Sequence, residues 1–401
     1  MTLISVDAAQ TELLSAVRPT GSERVPLGDA GGRVLAVDLK ARRTQPPVPI
    51  SSMDGYAVAA ASSNDVWLRV IGEAAAGHGF ATEVGAGEAV RIFTGASLPA
   101  GTDCVVMQEE AERDGDRVRF KSPPVSGHYV RARGIDFSEG DVCLNAGMRL
   151  GFGTLGLAAA MNHESLAVRR RPRVALIASG DELMPPGSVL KPHQIVASSS
   201  VALAHLIAEA GGVPIDLGIA PDDLGMLRRH IRLALDGGAD VVVVIGGASV
   251  GDHDYTRAAL EAEGAAIGFW KVAMRPGKPL MHGRLGQAEV LGLPGNPVST
   301  LVCGVLFLPP LIRALLGSSD VLPETSPAVL DEALGGNDFR RDYLRGHLMT
   351  KERQLHVAPF AKQDSSLMRT MAAANALVIR PEHAPAISAG EMVDVIRLDR
   401  D

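Results

Sequence analysis

Three apolar runs of this chain are each followed, after a short turn, by a pair of acidic residues: Asp181 and Glu182, Asp222 and Asp223, Asp252 and Asp254. The carboxyl ends of parallel strands share one edge of an open sheet, and ligands bind there. We therefore expect these carboxylates to converge on one site. Hard oxygen ligands with room for water suit Mg²⁺ beside a phosphate. Any one of the six is more commonly a helix cap or a solvated loop residue, so the argument depends on the repetition.

A glycine-rich segment follows the third run. Residues 241–245 are continuously β-branched, which is typical of an interior strand of a parallel sheet. The chain continues with small residues: Gly246, Gly247, Ala248, Ser249, Val250 and Gly251. Such residues let backbone N–H groups approach a ligand closely, which favours a binding turn. An ordinary strand-to-helix turn with an aspartate N-cap is the alternative.

Complementary positive charge follows in the segment FWKVAMRPGKPL, which contains Lys271, Arg275 and Lys278. Pro276 and Gly277 predict a turn that brings the flanking cations together. Arginine binds an oxyanion such as phosphate with two hydrogen bonds, and lysine binds it as a point charge. A solvated basic hairpin explains the same residues without a ligand.

A second turn, Pro294–Gly295–Asn296–Pro297, leads into an apolar helix that extends to about residue 316. Gly295 permits an unusual backbone angle, and Pro297 suits the first turn of a helix. The N-terminus of that helix is a candidate site for a ligand phosphate.

Strand and helix patterns alternate over residues 173–317, which predicts a doubly wound α/β domain with right-handed crossovers. Short strands over 67–71, 89–93, 104–107 and 117–120, separated by Gly, Pro and Asp, predict a β-rich inserted domain over 46–142. Residues 1–45 and 143–172 flank this insertion and are predicted to form one N-terminal domain. The Pro-rich segment RRTQPPVP (42–49) is the expected crossing between the two.

Charge and composition exclude several function classes. The net charge of −7 argues against nucleic acid or a basic membrane-binding face as the main partner. Cys104, Cys143 and Cys303 are isolated, which fits a reducing compartment and neither a disulfide framework nor a zinc site. We see no signal peptide, and the best apolar run, 301–308, ends at two prolines. We therefore expect a cytoplasmic protein with no membrane partner.

Long motifs of this chain occur in an order that resembles the molybdopterin molybdenumtransferases, a family related to the C-terminal domain of gephyrin and to the plant molybdenum-insertion enzyme. The motifs are SSMDGYAV (51–58), RIFTGASLPAGTD (91–103), RARGIDFSEGD (131–141), ASGDEL (178–183), GGASVGDHDY (246–255), FWKVAMRPGKPL (269–280) and GLPGNPVS (292–299). The resemblance covers essentially the whole chain. It implies an elongated N-terminal domain, the β-rich insertion, an α/β domain like molybdopterin adenylyltransferase, and a C-terminal β-barrel over 318–401. Strands near 343–349, 355–359, 376–380 and 392–398 fit that barrel.

The resemblance also implies the reaction: molybdenum from molybdate is inserted into adenylylated molybdopterin, and AMP is released in a Mg²⁺-dependent step. It assigns Glu182, Asp222 and Asp254 to the metal and nucleotide region, and Lys271, Arg275 and Lys278 to phosphate or molybdate. The pterin pocket would be lined by Ser179, Gly180, Gly246, Gly247, Ser249, Gly251, Pro294, Gly295, Asn296 and Pro297. Further site residues are implied in the insertion and the C-terminal domain: Asp54, Thr94, Arg131, Asp136, Ser365 and Ser366.

In the family the cleft lies between two subunits, so the resemblance implies a homodimer. It also admits a molybdopterin adenylyltransferase as a partner protein. Ala197, Ser199, Arg275, Ile135 and Ser179 depart from residues that are common in the family. Three alternatives stay open at this point: an adenylyltransferase-like enzyme, a non-catalytic binding or scaffold paralogue, and a dinucleotide-binding protein. The last depends only on the fragment Gly85–Ala86–Gly87, with no helix pattern after it.

Overall fold

The computed structural model describes residues 3–63, 65–247 and 255–398. The chain divides into two compact units, each built from several segments. Unit 1 contains Met1–Glu23, Gly32–Ala36 and Val168–Asp401, and unit 2 contains Arg24–Gly31 and Val37–Ala167. The domain boundaries given above remain predictions.

Helices and strands are numbered in chain order over both units. The helices are α1 (Val6–Ser15), α2 (Phe152–Ala160), α3 (Ser199–Ala210), α4 (Leu224–Asp236), α5 (Tyr255–Ala262), α6 (Pro297–Leu315) and α7 (Met368–Ala373). The strands up to residue 169 are β1 (Ser22–Pro26), β2 (Leu39–Lys40), β3 (Ile50–Ser51), β4 (Gly55–Val58), β5 (Leu68–Ala74), β6 (Glu88–Ile92), β7 (Cys104–Met107), β8 (Ala111–Asp114), β9 (Arg117–Phe120), β10 (Val130–Arg131), β11 (Val142–Leu144) and β12 (Ser165–Arg169).

The later strands belong to unit 1. They are β13 (Arg173–Ser179), β14 (Leu183–Met184), β15 (Ile195–Val196), β16 (Val213–Ala220), β17 (Val241–Ile245), β18 (Ala266–Trp270), β19 (Met274–Arg275), β20 (Met281–Leu285), β21 (Ala288–Leu293), β22 (Thr325–Leu330), β23 (Arg341–Lys351), β24 (Gln354–Pro359), β25 (Ala376–Arg380) and β26 (Met392–Arg397).

The core of unit 1 is an α/β sheet covered on both faces. In the described part of the chain its strand order is β16-β13-β17-β21-β20-β18. The first four strands are parallel, and the hairpin β20–β21 reverses the direction for β20 alone. Val241 and Val243 pack towards α3 and α6, whereas Val242 and Val244 pack towards α4 and α5. This alternation explains the uniformly apolar run, and it confirms the predicted doubly wound domain.

Helix α6 is long and apolar enough to cross a membrane by length and composition, but most of it is buried within unit 1. It carries Pro309 and Pro310 in its interior and packs against α1 and α3. Burial on nearly all sides accounts for its composition, because a helix surrounded by core has no polar face.

A closed barrel forms the C-terminal part of unit 1. Among the described residues, strands β23, β24, β22, β26 and β25 pair in that order, and β25 pairs back to β23. Closure leaves no unpaired strand edges within the barrel. Four of these strands follow the sequence prediction, whereas β22 was missed. The predicted C-terminal β-barrel is confirmed.

Unit 2 contains a separate β-sheet with the order β7-β4-β6-β5-β9-β8 in its described residues. Two separate two-stranded sheets, β3 with β10 and β2 with β11, lie in the same unit. Helix α2 lies in the same unit. The sequence pattern predicted β5, β6, β7 and β9, but it missed β4 and β8. A β-rich module is therefore present in this part of the chain.

Candidate functional site

Predicted site residues gather where the parallel strands of unit 1 end. Ser179 is the last residue of β13 and is buried, and its hydroxyl donates a hydrogen bond to Oδ1 of Asp222 at 3.3 Å. Asp222 follows β16, and its backbone N–H is bound by the carboxylate of Asp181 at 3.1 Å. The structure thus brings together acids from two strand ends, as the repetition predicted.

Glu182 lies at the same edge with an exposed side chain. Its carboxylate folds over Gly180, where a Cβ atom would be only 2.5 Å from Oε2. None of the described residues forms a salt bridge with Glu182 within 4.0 Å. Because the carboxylate is exposed and unpaired within that set, it is available to a ligand.

The Gly246–Gly247 turn follows β17 and is held tightly. Both residues have positive φ angles, 99° and 59°. A Cβ atom at Gly246 would be 2.4 Å from the carbonyl oxygen of Ser179. The Gly246 carbonyl accepts a hydrogen bond from the buried hydroxyl of Thr256 at 2.9 Å. Gly295 also approaches this turn, because a Cβ atom at Gly295 would lie 3.7 Å from the Gly246 Cα. Glycine is required here both by backbone angle and by close approach.

Lys271 belongs to the same edge of the sheet. Trp270, the last residue of β18, pairs with Met281, which pairs with Gly292, which pairs with Val244. The residue after Trp270 is therefore level with the strand ends that carry Ser179 and Gly246. Lys271 has a positive φ of 83°, and its ammonium lies 4.6 Å from the centre of the Trp270 ring. Such a backbone angle is uncommon for a residue with a side chain and is often found at functional sites.

The other two predicted cations differ from each other. Lys278 is exposed, and none of the described acidic residues lies within salt-bridge distance of it. Arg275 donates to both carboxylate oxygens of Asp342, a buried residue of β23. These hydrogen bonds raise the pKa of the Arg275 guanidinium. Arg275 is thus engaged by the barrel, whereas Lys278 is open to a ligand.

The start of α6 meets a loop of the barrel that contains Ser365. The Val298 N–H donates to the Ser365 carbonyl oxygen at 3.1 Å, and the Asn296 amide donates to the Ser365 hydroxyl at 3.3 Å. The Ser366 N–H and hydroxyl both donate to Asp364, which holds the pKa of that carboxyl below its usual range. Pro297 begins α6 directly after Asn296, so the predicted PGNP turn and the predicted serines lie together.

Arg345 supports this loop from inside the barrel and was not predicted. It is 1% exposed, and its guanidinium donates to the Asp364 carbonyl oxygen at 2.9 Å. Its Nε atom is buried with no hydrogen-bond partner among the described residues. Burial lowers the pKa of this guanidinium. In a strand whose residues alternate between core and solvent, a charged residue is normally assigned to the solvent face. Arg345 was missed for that reason.

Unit 2 holds a second group of predicted residues. The Asp54 carboxylate accepts hydrogen bonds from both the backbone N–H and the hydroxyl of Thr94, each at 2.8 Å. These bonds, with the nearby charge of Arg91, lower the pKa of Asp54. Arg91 lies between the rings of Tyr56 and Phe93, about 5 Å from each centroid. The sequence did not single out Arg91, because it does not show that the Tyr56 and Phe93 rings both contact this side chain.

Arg131 and Asp136 also belong to unit 2. Strand β10, which contains Arg131, pairs with β3, and the Ser51 carbonyl accepts the Gly95 N–H at 2.9 Å. The segments that carry Asp54, Thr94 and Arg131 are therefore neighbours. Asp136, five residues further along, is exposed, and its backbone N–H donates a hydrogen bond to the Gln45 carbonyl oxygen.

Several predicted residues lie outside the described part of the chain: Ser249, Gly251, Asp252 and Asp254. The third predicted metal ligand is one of them. Within the described ranges, no group of three or more His, Cys, Asp or Glu side chains is arranged to hold a metal ion. Glu182 and Asp222 supply oxygen donors of the kind that Mg²⁺ prefers, so this part of the donor set fits that ion.

Three family models match the chain in succession. Residues 4–162 match the MoeA N-terminal region (domain I and II), residues 175–314 match a probable molybdopterin binding domain, and residues 327–398 match the MoeA C-terminal region (domain IV). Together the three models cover most of the chain.

Individual relatives match at nearly full length. A molybdopterin molybdenumtransferase of Haemophilus influenzae is 33% identical over 401 residues, 98% of each chain. One of a Nostoc species is 36% identical over 389 residues, 94% of this chain and 89% of the relative. A crystal structure of the molybdopterin biosynthesis moeA protein from Pyrococcus horikosii has a TM-score of 0.86 and 32% identity, covering 99% of this chain and all of the other.

Proposed function

The chain belongs to the molybdopterin molybdenumtransferase family, and we propose that it inserts molybdenum from molybdate into adenylylated molybdopterin with release of AMP. The observation that carries the proposal is the full-length match to relatives of that name, combined with free carboxylates and a lysine at one edge of the sheet. An adenylyltransferase-like enzyme is disfavoured because the match includes the N-terminal and C-terminal regions.

The glycine turns at this edge would admit the diphosphate of the substrate. The Gly246 and Gly180 N–H groups donate to the Leu293 and Ala220 carbonyl oxygens at 3.0 and 3.2 Å, so these glycines would shape the site through their backbone angles and small size. Asp222 is oriented by Ser179 and Asp181, whereas Glu182 is free to move towards a ligand. The buried Thr256 hydroxyl holds this turn in place by donating a hydrogen bond to the Gly246 carbonyl oxygen.

Glu182 and Asp222, together with Asp254, would hold Mg²⁺. When bound there, the ion would offset the negative charge of the diphosphate and of the departing AMP. Among the described residues Glu182 and Asp222 form no ion pair, which suits this role because they need not break one to bind a cation. The dependence on Mg²⁺ is part of the proposal.

Molybdate is a dianion, and it needs positive charge in a partly desolvated place. Lys271 and Lys278 flank the Pro276–Gly277 turn and would supply that charge. The loop of Ser365 and Ser366 adds hydroxyl groups next to the start of α6. Electrostatic attraction of this kind would raise the local concentration of molybdate beside the dithiolene sulfurs.

Asp54, Thr94, Arg131 and Asp136 would complete the cleft from unit 2 of a second subunit, so we propose a homodimer. A molybdopterin adenylyltransferase would be a suitable partner, since it makes the substrate consumed here. We place the reaction in the cytoplasm, where the isolated thiols stay reduced.

The test is to incubate the purified chain with adenylylated molybdopterin, Mg²⁺ and a range of molybdate concentrations. The proposal predicts AMP release and formation of molybdenum cofactor, both dependent on molybdate. Net synthesis of adenylylated molybdopterin from ATP would instead identify an adenylyltransferase. Binding of the pterin without any AMP release would identify a scaffold paralogue, a role to which the changes at Ala197 and Ser199 would be relevant.

A further inference from the structure

Asp54 lies at one edge of the six-stranded sheet of unit 2, directly before β4. Strand β4 lies between β7 and β6 and is antiparallel to both. The carboxyl ends of β6 and β7 therefore reach the edge at which β4 begins. Thr94 follows β6 and Gln108 follows β7, so three segments of the chain meet beside Asp54.

Two of these segments bind Asp54 directly. The N–H and the hydroxyl of Thr94 both donate to Oδ1 of the Asp54 carboxylate at 2.8 Å. The backbone N–H of Gln108 donates to the Asp54 carbonyl oxygen at 3.1 Å. The orientation of the carboxylate therefore depends on where the ends of β6 and β7 lie relative to the start of β4.

The side chain of Arg91 links the same three segments. Arg91 belongs to β6 and lies directly opposite Tyr56 of β4. Its Nη1 donates to the Gly55 carbonyl oxygen at 3.1 Å, and its Nη2 donates to Oε1 of Gln108. The Gln108 amide nitrogen donates to the Glu109 carboxylate at 3.1 Å, which leaves the amide oxygen for Arg91. One guanidinium thus ties β6 to the start of β4 and to the end of β7.

Aromatic rings and charge add to these hydrogen bonds. The guanidinium carbon of Arg91 lies 5.1 Å from the centre of the Tyr56 ring and 4.9 Å from that of Phe93. Phe93 is the residue before Thr94, so the stacking also holds the threonine segment. The Thr94 hydrogen bonds, and after them the positive charge of Arg91, lower the pKa of Asp54.

We propose that Arg91 is a positioning residue for Asp54. Through the Gly55 carbonyl and the Gln108 side chain it fixes the start of β4, and it thereby sets the direction of the Asp54 carboxylate towards the substrate. The inference rests on the proposed function, in which Asp54 belongs to the cleft, and it deepens that function by adding a residue that acts through Asp54. Arg91 itself does not contact the substrate.

The test compares Arg91→Gln, Asp54→Asn and the double variant by molybdate-dependent AMP release. Arg91→Gln should lower kcat/KM about tenfold, since a small misplacement of a reacting group is enough for such a loss. It should change the same parameter, kcat or KM, as Asp54→Asn does. The double variant should be no worse than Asp54→Asn alone, because Arg91 acts only through that carboxylate. Additive losses, or wild-type activity of Asp54→Asn, would overturn the inference.

Gln108→Ala separates positioning from direct contact of Arg91 with the substrate. This variant keeps the guanidinium and removes one of the groups that it holds. Positioning predicts a loss of activity in the same direction as that of Arg91→Gln. Direct binding of an oxyanion predicts unchanged or higher activity, because Nη2 is released, and that result would overturn the inference.

Arg91→Lys replaces Arg91→Gln if the latter does not fold. A lysine keeps the positive charge, but its single ammonium group cannot reproduce the two hydrogen bonds of fixed geometry. We expect it to lose activity about as much as Arg91→Gln would. Wild-type activity of Arg91→Lys would show that only the charge matters and would overturn the positioning role.

Arg119→Gln is the matched control. Arg119 also stacks on an aromatic ring, 5.1 Å from the centre of the Trp67 ring, and pairs with Glu112 at 2.7 Å. It belongs to β9 of the same sheet, which is separated from β4 by β5 and β6. Arg119→Gln should keep wild-type activity, and a loss equal to that of Arg91→Gln would overturn the inference.

A measurement without turnover separates this inference from the proposed function. The pKa of the Asp54 carboxyl can be followed by NMR on aspartate labelled with ¹³C, with the signal identified by its loss in Asp54→Asn. Arg91→Gln should raise this pKa towards its ordinary value, and Arg119→Gln should leave it unchanged. An unchanged pKa in Arg91→Gln would overturn the inference. A wild-type chain that releases no AMP would overturn the proposed function and leave the titration as the test of the Arg91 contacts.

Discussion

The two edges of the parallel sheet in unit 1 carry the same kinds of charged residue in opposite states of pairing. At the amino edge, Asp240 is held by Arg170 and by the Arg173 N–H. Next to it, the buried Glu289 accepts hydrogen bonds from His282 and Arg284. At the carboxyl edge, Glu182 has no ion-pair partner among the described residues, and the Asp222 carboxylate accepts a hydrogen bond from the neutral Ser179 hydroxyl.

The amino edge of the sheet therefore contributes mainly to stability, and the carboxyl edge is the place for chemistry. A paired, buried carboxylate contributes to folding only as long as its partner is present, and it has little capacity left for a ligand. An exposed, unpaired carboxylate contributes little to folding and can bind a cation or an incoming substrate. Substitutions of the same chemical type should therefore have opposite consequences at the two edges.

Glu182→Gln should have the largest effect, and it should lower activity without lowering stability. We expect AMP release to fall about 1,000-fold, which is about 4 kcal/mol of activation free energy. The thermal unfolding midpoint should stay within about a degree, because the removed charge has no protein partner. Measurement of kcat/KM and of thermal unfolding on the same preparation checks both. Activity near the wild-type level would reject the metal assignment.

Glu289→Gln should show the reverse pattern. It leaves the buried His282 and the partly exposed Arg284 without their anionic partner, and we expect a loss of about 3 kcal/mol in the free energy of unfolding. Specific activity of the folded fraction should be unchanged, because the amino edge does not touch the substrate. Urea unfolding and AMP release measure the two. A loss of activity without a loss of stability would break the contrast between the edges.

Gly246→Ala should affect stability and activity together, because here the backbone itself forms the site. A Cβ atom would meet the Ser179 carbonyl at 2.4 Å, with φ at 99°. We expect a destabilisation of about 2 kcal/mol from the backbone angle alone. Gly238→Ala is the control, since it has a φ of 70° but no atom near its Cβ position. It should lose stability and keep its activity.

Lowering the pH should gradually remove the contribution of Glu289 to the free energy of unfolding. Burial raises the pKa of this carboxyl, but the hydrogen bonds from His282 and Arg284 lower it by more, so the folded pKa lies below the ordinary 4.5. The unfolded chain therefore binds the proton more tightly, and the stabilisation is complete above pH 4.5 and decreases as the pH falls below it. Unfolding measured from pH 6 to pH 3 should show a smaller loss for Glu289→Gln than for the wild type. Equal losses would mean that Glu289 is not the linked group.

The sequence predicts the environment of a residue only where the residue type alone determines that environment. The run 241–245 could be assigned to a buried strand because five β-branched residues leave no polar face. Strands β4, β8 and β22 were missed, since their patterns are short or mixed. The acids at the carboxyl edge were predicted because strand direction forces them together.

Side-chain partners could not be predicted in this way. Lys271, Arg275 and Lys278 look equivalent in FWKVAMRPGKPL, and only the pairing of β19 with β23 reveals that Arg275 faces Asp342. Arg345 and Arg91 were missed for the same reason, because their neighbours come from distant parts of the chain. Pairing across long sequence separations is a property of the packed structure.

The most direct test of the account is a single paired measurement of molybdate-dependent AMP release and unfolding free energy for Glu182→Gln and Glu289→Gln. The account predicts that the first variant is stable and inactive and that the second is destabilised and active once folded. If Glu182→Gln released AMP at the wild-type rate, or if Glu289→Gln were the inactive variant, the assignment of chemistry to the carboxyl edge would be contradicted.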